Sequence, residues 1–204
     1  MPKFPEPPAV LTLPAAIHVL RTGTRLWRVY FAGGAHPTGW DQFRFFGPSN
    51  SRFDHHDSPA AVQSKGILYA AASPLTCLAE VFQATRVIDR SAGAPWLAGF
   101  DLARDATLLD LTGLWPTQAG ASMAINTGPR PRARRWARLI YATYPDVRGI
   151  YYPSSMHRNQ PSVAFFELAQ AVMPGVPVFN MPLNDPALAR RLGTAAASLG
   201  YRIV

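Results

Sequence analysis

Apolar and polar positions change period several times along the chain, and each change marks an element. Thr24–Phe31 (TRLWRVYF) is aromatic and β-branched and predicts a strand. The 34 residues after it are rich in Gly, Pro, Asn, Asp and His and predict an irregular segment, a length that in a compact domain points to function. Gly66–Ala72 (GILYAAA) reads as a second strand, followed at once by Ser73-Pro74, a helix N-cap with proline at the first helical position. That helix is predicted to reach Thr85. Trp96–Leu102, Thr107–Leu111, Gly149–Tyr152, Val163–Phe166 and Val176–Asn180 read as short strands, the third and fourth separated by the polar loop SSMHRNQP. Pro131–Tyr144 places Trp136, Leu139, Ile140 and Thr143 at i, i+3, i+4 and i+7 and predicts an amphipathic helix. Asp185-Pro186 opens a last helix to about Leu199, and Tyr201–Val204 closes as a strand. Strands and helices do not alternate at βαβ spacing, so the pattern predicts an α+β domain with mixed or antiparallel sheets and flanking helices, not a doubly wound sheet.

Residues 1–13 carry Pro2, Pro5, Pro7 and Pro8 and predict an extended arm over the surface, leaving residues 14–204 as one domain. A length of 204 residues with 48% hydrophobic and 16% charged positions suits a globule with a proper core and excludes disordered and coiled-coil classes. The two longest uncharged runs, Leu111–Pro129 and Leu168–Asn184, are broken by prolines and predict no membrane span. No export signal is visible, and one cysteine, Cys77, suits a reducing compartment, so the expected location is the cytoplasm. The net charge of +8 is uneven: residues 128–160 hold seven basic and one acidic side chain. That sign implies an anionic partner without saying which.

Standard chemistry is missing from the motifs: there is no GxxxxGK[ST], GxGxxG after a strand, HExxH or GxSxG. Asp54-His55-His56-Asp57 has metal-ligating residue types, but adjacent ligands point apart on an extended backbone, so it reads as a solvated loop and no metal is expected. Cys77, early in a helix, reads as a small core residue. Arg130, Arg132, Arg134, Arg135 and Arg138 could grip nucleic acid, yet they spread around the helix without interleaved stacking aromatics. A solvated face or a docking patch for an acidic partner is the better reading, with a non-catalytic nucleic-acid-binding module as the alternative of a different class. Among only three glutamates, Glu80 stands out inside an otherwise neutral helix. Leu75, Leu78, Ala79 and Phe82 form the apolar face of that helix, and Thr76, Glu80 and Gln83 form a polar stripe beside it. A surface glutamate and a cleft carboxylate both fit that position.

Arg28 in LWRVY, Arg52 in SRFD, the run GILYAAASPLTCLAEVF with Tyr69, Thr76 and Glu80, and GIYYPSS with Ser154 occur in the order and spacing of the RES-domain family, which the chain resembles from Arg25 to Phe166. The resemblance implies an ADP-ribosyltransferase-like fold and a bacterial toxin paired with an Xre-like antitoxin. It also implies an enzyme that takes NAD+ as substrate and breaks its nicotinamide–ribose bond. The acceptor is left open between water, inorganic phosphate and a protein side chain. Glu80, Arg28 and Ser154 are then the expected catalytic group, and Arg28, Arg52, Tyr69 and Ser154 the expected NAD+ contacts. Four positions depart from the family pattern: Phe53-Asp54-His55 replaces Trp-Asn-Pro, and Met156 replaces an arginine. Ser155 stands beside Ser154 as a second candidate serine.

Overall fold

The computed structural model describes residues 3–204, so the first two residues of the proline-rich arm lie outside it. In chain order the elements are β1 (Ile17–Leu20), β2 (Arg25–Phe31), β3 (Arg44–Gly47), β4 (Ala61–Ala71), α1 (Pro74–Val81), β5 (Val87–Ile88), β6 (Pro95–Asp101) and β7 (Ala106–Asp110). There follow α2 (Trp115–Gln118), α3 (Arg130–Thr143), β8 (Gly149–Pro153), β9 (Pro161–Phe166), β10 (Phe179–Pro182), α4 (Ala189–Leu199) and β11 (Arg202–Ile203). Short 3-10 turns occupy Met123–Asn126, Glu167–Val172 and Pro186–Leu188. The class is α+β with a mixed sheet, as the pattern predicts.

One sheet runs in the order β1-β7-β8-β9-β4-β2-β6-β10, with β3 added beside β4, and β5 pairs with β11 separately. Within the large sheet only β7 and β8 are parallel. Register along β4 explains where a cleft can open. Ile67 faces Phe166 of β9 on one edge and Arg44 of β3 on the other, while Ala71 faces Ser162 of β9 and Trp27 of β2. So β2 and β3 share one edge of β4, and Leu68, Tyr69 and Ala70 between them have no strand partner on that edge. The sheet splits there.

Alternation along β4 sorts the core into sides. Ile67 and Ala71 point toward the helices, where Trp136, Ala133, Ala137 and Ile140 of α3 pack with Phe53, Trp115, Ile150 and Phe166, and Leu78 and Phe82 pack with Leu192 and Ala196 of α4. Leu68 and Ala70 point to the opposite side, covered by Phe43 and by Trp40 and Phe45 of the segment between β2 and β4. Phe53 is fully buried, its ring edge-on to Tyr152 at 4.8 Å between centroids. Burying such a ring contributes about 1.5–3 kcal/mol, and truncating it to alanine costs about 3–5 kcal/mol.

Several expectations shift. The helix after Ser73 begins as read, with the Ser73 hydroxyl accepting from Thr76 N at 3.2 Å, but it ends at Val81 and not Thr85 because Phe82 leaves helical geometry and Arg86 turns left-handed at φ 54°. The segment between β2 and β4 is not wholly irregular: β3 lies inside it, and β4 starts five residues before Gly66. Residues Ala61–Lys65 are mostly polar or exposed because only β3 lies beside them. Asp185 caps the 3-10 turn Pro186–Leu188, after which α4 begins at Ala189. From Lys3 to Leu13 the arm has no helix or strand, yet Phe4 and Leu11 are buried against the α3 side. Carbonyls of the arm and of Pro14 just after it hold two indoles, Pro5 O accepting from Trp136 Nε1 at 3.0 Å and Pro14 O from Trp115 Nε1 at 3.2 Å.

Candidate functional site

The split between β2 and β4 opens into a cleft of about 490 Å³, within the ordinary range for small-molecule sites. Helix α1 runs along it and places Glu80 and Gln83 on its wall, while Thr76, the third residue of the polar stripe, is fully buried. Both carboxylate oxygens of Glu80 are held: Ser154 Oγ donates to Oε1 at 2.5 Å, and Gln83 Nε2 donates to Oε2 at 3.3 Å and to the Glu80 carbonyl at 2.6 Å. Ser154 is in turn oriented by the backbone, its Oγ accepting from the N–H groups of Met156 and His157 at 3.2 and 3.1 Å. Since those two amides take lone pairs, the hydroxyl proton is directed at Glu80. His157 Nδ1 and Ser73 Oγ lie 2.9 and 2.8 Å from the buried Thr76 Oγ1, which ties the loop after β8 to the start of α1.

Among the expected site residues, Glu80, Arg28, Arg52 and Tyr69 all line the cleft. Ser154 does not. It is fully buried behind Glu80, and its neighbour Ser155 is the serine that faces the cleft. Arg28 comes from β2 and is nearly buried, with Nη1 donating to the carbonyls of Trp40 and Gln42 at 3.0 and 2.8 Å. Burial pulls its guanidinium down to about 10, still protonated at neutral pH. Arg52 donates to Gly128 O at 2.5 Å; burial and then the nearby Arg130 lower its basicity, with Glu80 opposing. Arg44 also lines the cleft but is paired with Asp54 at 2.7 Å. The walls therefore carry four arginines and one carboxylate, a field suited to an anionic ligand with one cationic or electron-poor centre. Arg130 escapes a reading by sequence because five arginines on one helix look alike until the helix is docked.

Docking gives the other four separate work. Arg132 and Arg135 pair with Glu6 of the arm, Arg134 Nη1 donates to Ser49 O at 3.0 Å, and Arg138 Nη1 donates to His56 O at 3.4 Å. Four of the five arginines thus contact the chain itself, two of them through Glu6 in ion pairs that stay open to solvent. The solvated-loop reading of Asp54-His55-His56-Asp57 is also corrected: Asp54, His55 and His56 are fully buried, and only Asp57 is exposed. Asp54 accepts from Arg44, from Ser49 N at 2.6 Å and from Ser49 Oγ at 2.7 Å, and lies 2.5 Å from His56 Nδ1. The His56 ring presses on Gly47, where a Cβ would come within 2.5 Å of it, so only glycine fits there. Cys77 is buried as expected, donates to Trp27 O at 2.9 Å, and has its thiol pushed up to about 12 by burial, which makes it unreactive.

Comparison with known proteins points one way. The family described as RES domain matches residues 25–190. The fold is similar to that in the crystal structure of the M.tuberculosis MbcT–MbcA toxin–antitoxin complex, with a TM-score of 0.56 and 21% identity over 86% of this chain and 92% of that one. No curated protein matches the sequence. Among the described residues no helix is long and apolar enough to cross a membrane.

Proposed function

Because the chain belongs to the RES-domain family, we propose that its cleft binds NAD+ and breaks the nicotinamide–ribose bond, and that the protein is the toxin of a toxin–antitoxin pair. The observation that carries the chemical part is Glu80: one carboxylate, held on both oxygens, in a cleft whose other charged walls are arginines. Nicotinamide in NAD+ is already a cationic leaving group. When the C1′–N bond breaks, its electron pair neutralises the ring nitrogen, so no general acid has to protonate the leaving group. What needs stabilising is the oxocarbenium-like ribosyl cation left behind. Glycoside hydrolysis ordinarily uses two carboxylates, and here the acid is dispensable. Glu80, preoriented by Ser154 and Gln83, supplies the negative charge at the developing cation or grips the ribose hydroxyls. Arg28 and Arg52 clamp the pyrophosphate through charge-assisted bonds, and Tyr69 packs on the nicotinamide or ribose. The acceptor attacks C1′ and gives up its proton. Water yields a glycohydrolase, inorganic phosphate a phosphorylase, and a protein side chain an ADP-ribosyltransferase.

The antitoxin part rests on the family and on the complex containing the similar fold. An Xre-like antitoxin covering or flanking the cleft is the partner proposed, acting in the cytoplasm. A nucleic-acid-binding module is not favoured, since the arginines of α3 that would carry it hold the arm and the neighbouring loop. The test is nicotinamide release from NAD+ by the isolated chain with and without phosphate. Release that needs neither phosphate nor protein marks hydrolysis, and release that rises with phosphate marks phosphorolysis. No release under either condition, from a folded chain that also fails to bind NAD+, overturns the reading.

A further inference from the structure

Six buried side-chain nitrogens and oxygens have no hydrogen-bond partner among the described residues, and they fall into two groups. Three belong to the His55–His56 pair. The other three, the Tyr69 hydroxyl, Asn126 Oδ1 and Ser162 Oγ, belong to residues that line the cleft. A buried polar atom left unpaired costs about 1–3 kcal/mol, so three in one wall ask what they pair with.

Register brings them together. Ser162 of β9 lies directly opposite Tyr152 of β8 and Ala71 of β4, and Tyr69, two residues before Ala71, sits on the same face one diagonal step away. Asn126 reaches the same end of β8 from the 3-10 turn: its Nδ2 donates to Leu111 O at 3.1 Å, and Leu111 N donates to Tyr151 O at 2.8 Å. That bond fixes the amide, leaving Oδ1 as an acceptor toward the cleft. The Ser162 hydroxyl is free to donate, and Phe53 N–H and the Ser51 hydroxyl approach the Tyr69 oxygen only as donors and too loosely to pair with it, so its own proton is free as well; burial outweighs both and raises the phenol above its ordinary value, which keeps that proton in place. The wall therefore offers one acceptor beside two donors, all uncharged. A primary carboxamide is the complement, with an NH2 to give and a carbonyl to receive. Ser154 cannot serve the same group, because it is buried behind Glu80 with its proton directed at that carboxylate.

We propose that Asn126, Ser162 and Tyr69 form a neutral subsite for the carboxamide of the nicotinamide ring, an inference that rests on NAD+ being the ligand. Asn126 accepts from the amide NH2, and the two hydroxyls donate to its carbonyl oxygen. The nicotinic-acid analogue of NAD+ carries a carboxylate in that place. It has no N–H for Asn126 Oδ1 and sets an oxygen lone pair against it, so the subsite selects amide over acid.

Binding is measured by calorimetry for NAD+ and for its nicotinic-acid analogue, in a Glu80→Gln background so that ligand is not consumed, with nicotinamide release by the otherwise native chain run in parallel. The expected result is at least a tenfold preference for NAD+ over the acid, an NAD+ affinity about tenfold weaker in Ser162→Ala, and loss of the preference in Asn126→Ala. Ser162→Ala carries its own control. The Ser162 hydroxyl has no partner in the free protein, so removing it leaves the melting temperature unchanged or raised, whereas a serine with a structural role lowers it. Wild-type affinity and wild-type preference in both variants overturn the subsite while leaving NAD+ as the ligand. A chain that neither binds NAD+ nor releases nicotinamide overturns the ligand reading and the subsite with it.

Discussion

Glu80 and Ser154 show what a single residue discloses before a structure is known and what it withholds. The position of Glu80 on a polar stripe is a local property of α1, so periodicity finds it. The direction of the Ser154 proton depends on two backbone amides and on a carboxylate 74 residues away, and no spacing rule carries that. Glu80→Gln keeps size and shape and removes the charge. If Glu80 stabilises the ribosyl cation as proposed, its contribution lies mainly in the transition state, so kcat is expected to fall on the order of 10²–10³ with NAD+ affinity retained. Ser154→Ala leaves the charge and removes one of the two groups that orient it. A smaller fall in kcat, about tenfold, with KM little changed is then expected, because a carboxylate held by Gln83 alone samples more orientations. Steady-state kinetics on the two variants decide it: a Ser154→Ala enzyme that raises KM without lowering kcat makes the serine a substrate contact instead. Asn126 and Ser162 give no local signal at all, as neither belongs to a motif and each acquires its meaning only from what it fails to touch.

Elements were readable where the hydrophobic period is strong and local. The predicted spans Trp96–Leu102 and Thr107–Leu111 each end one residue from the observed strands, as does the helix Pro131–Tyr144. β3 and the first half of β4 were hidden because their residues are flanked by Pro48 and Pro59 and lack clean alternation. The arm and α3 make the element-scale case for function. Phe4 is 4% exposed and would meet any Cβ placed on Gly128, while Gly128 O anchors Arg52 and Asn126 and Arg130 flank it. The arm thus props one rim of the cleft. Phe4→Ala is expected to destabilise by about 3–5 kcal/mol and, on the proposal that the cleft takes NAD+, to weaken that binding through the loosened 126–130 segment. Glu6→Gln breaks ion pairs with Arg132 and Arg135 that are open to solvent, so it is expected to move stability little, and less still at high salt. Urea unfolding and NAD+ titration on both variants separate apolar anchoring from charge. If Glu6→Gln proves the more damaging of the two, charge anchors the arm and the rim argument fails.

At the scale of the whole molecule, the split that makes the cleft was not readable, since it depends on β2 and β3 sharing one edge of β4, a pairing between segments far apart in sequence. The same holds for the buried ionic network that braces the segment between β3 and β4. Burial raises the Asp54 carboxyl, but His56, Arg44 and Ser49 more than offset this and hold it well below the ordinary 3.8. Burial likewise acts against Glu167, yet His55, the Tyr141 hydroxyl and Gly66 N–H bring it down to about 2 from 4.5. Burial also lowers His55 below 6.5, with Glu167 opposing. All three therefore bind protons more readily unfolded than folded, so their contribution to stability is complete above the unfolded values and shrinks as pH falls. Loss begins below about 6.5 with His55, continues through Glu167 from 4.5 down to about 2, and includes Asp54 below 3.8. Glu167 is partly open to solvent, which screens its interactions, so its share is smaller than the full shift at 1.36 kcal/mol per unit would give. The urea midpoint is expected to drop steadily from pH 7 to pH 3. Glu167→Gln, which keeps an acceptor for Tyr141 and Gly66, should start lower at pH 7 and follow a flatter line below pH 4.5. A native chain with the same midpoint at pH 7 and pH 3 means the buried carboxylates are not ionised in the fold, and the network then stabilises by packing and neutral hydrogen bonds alone.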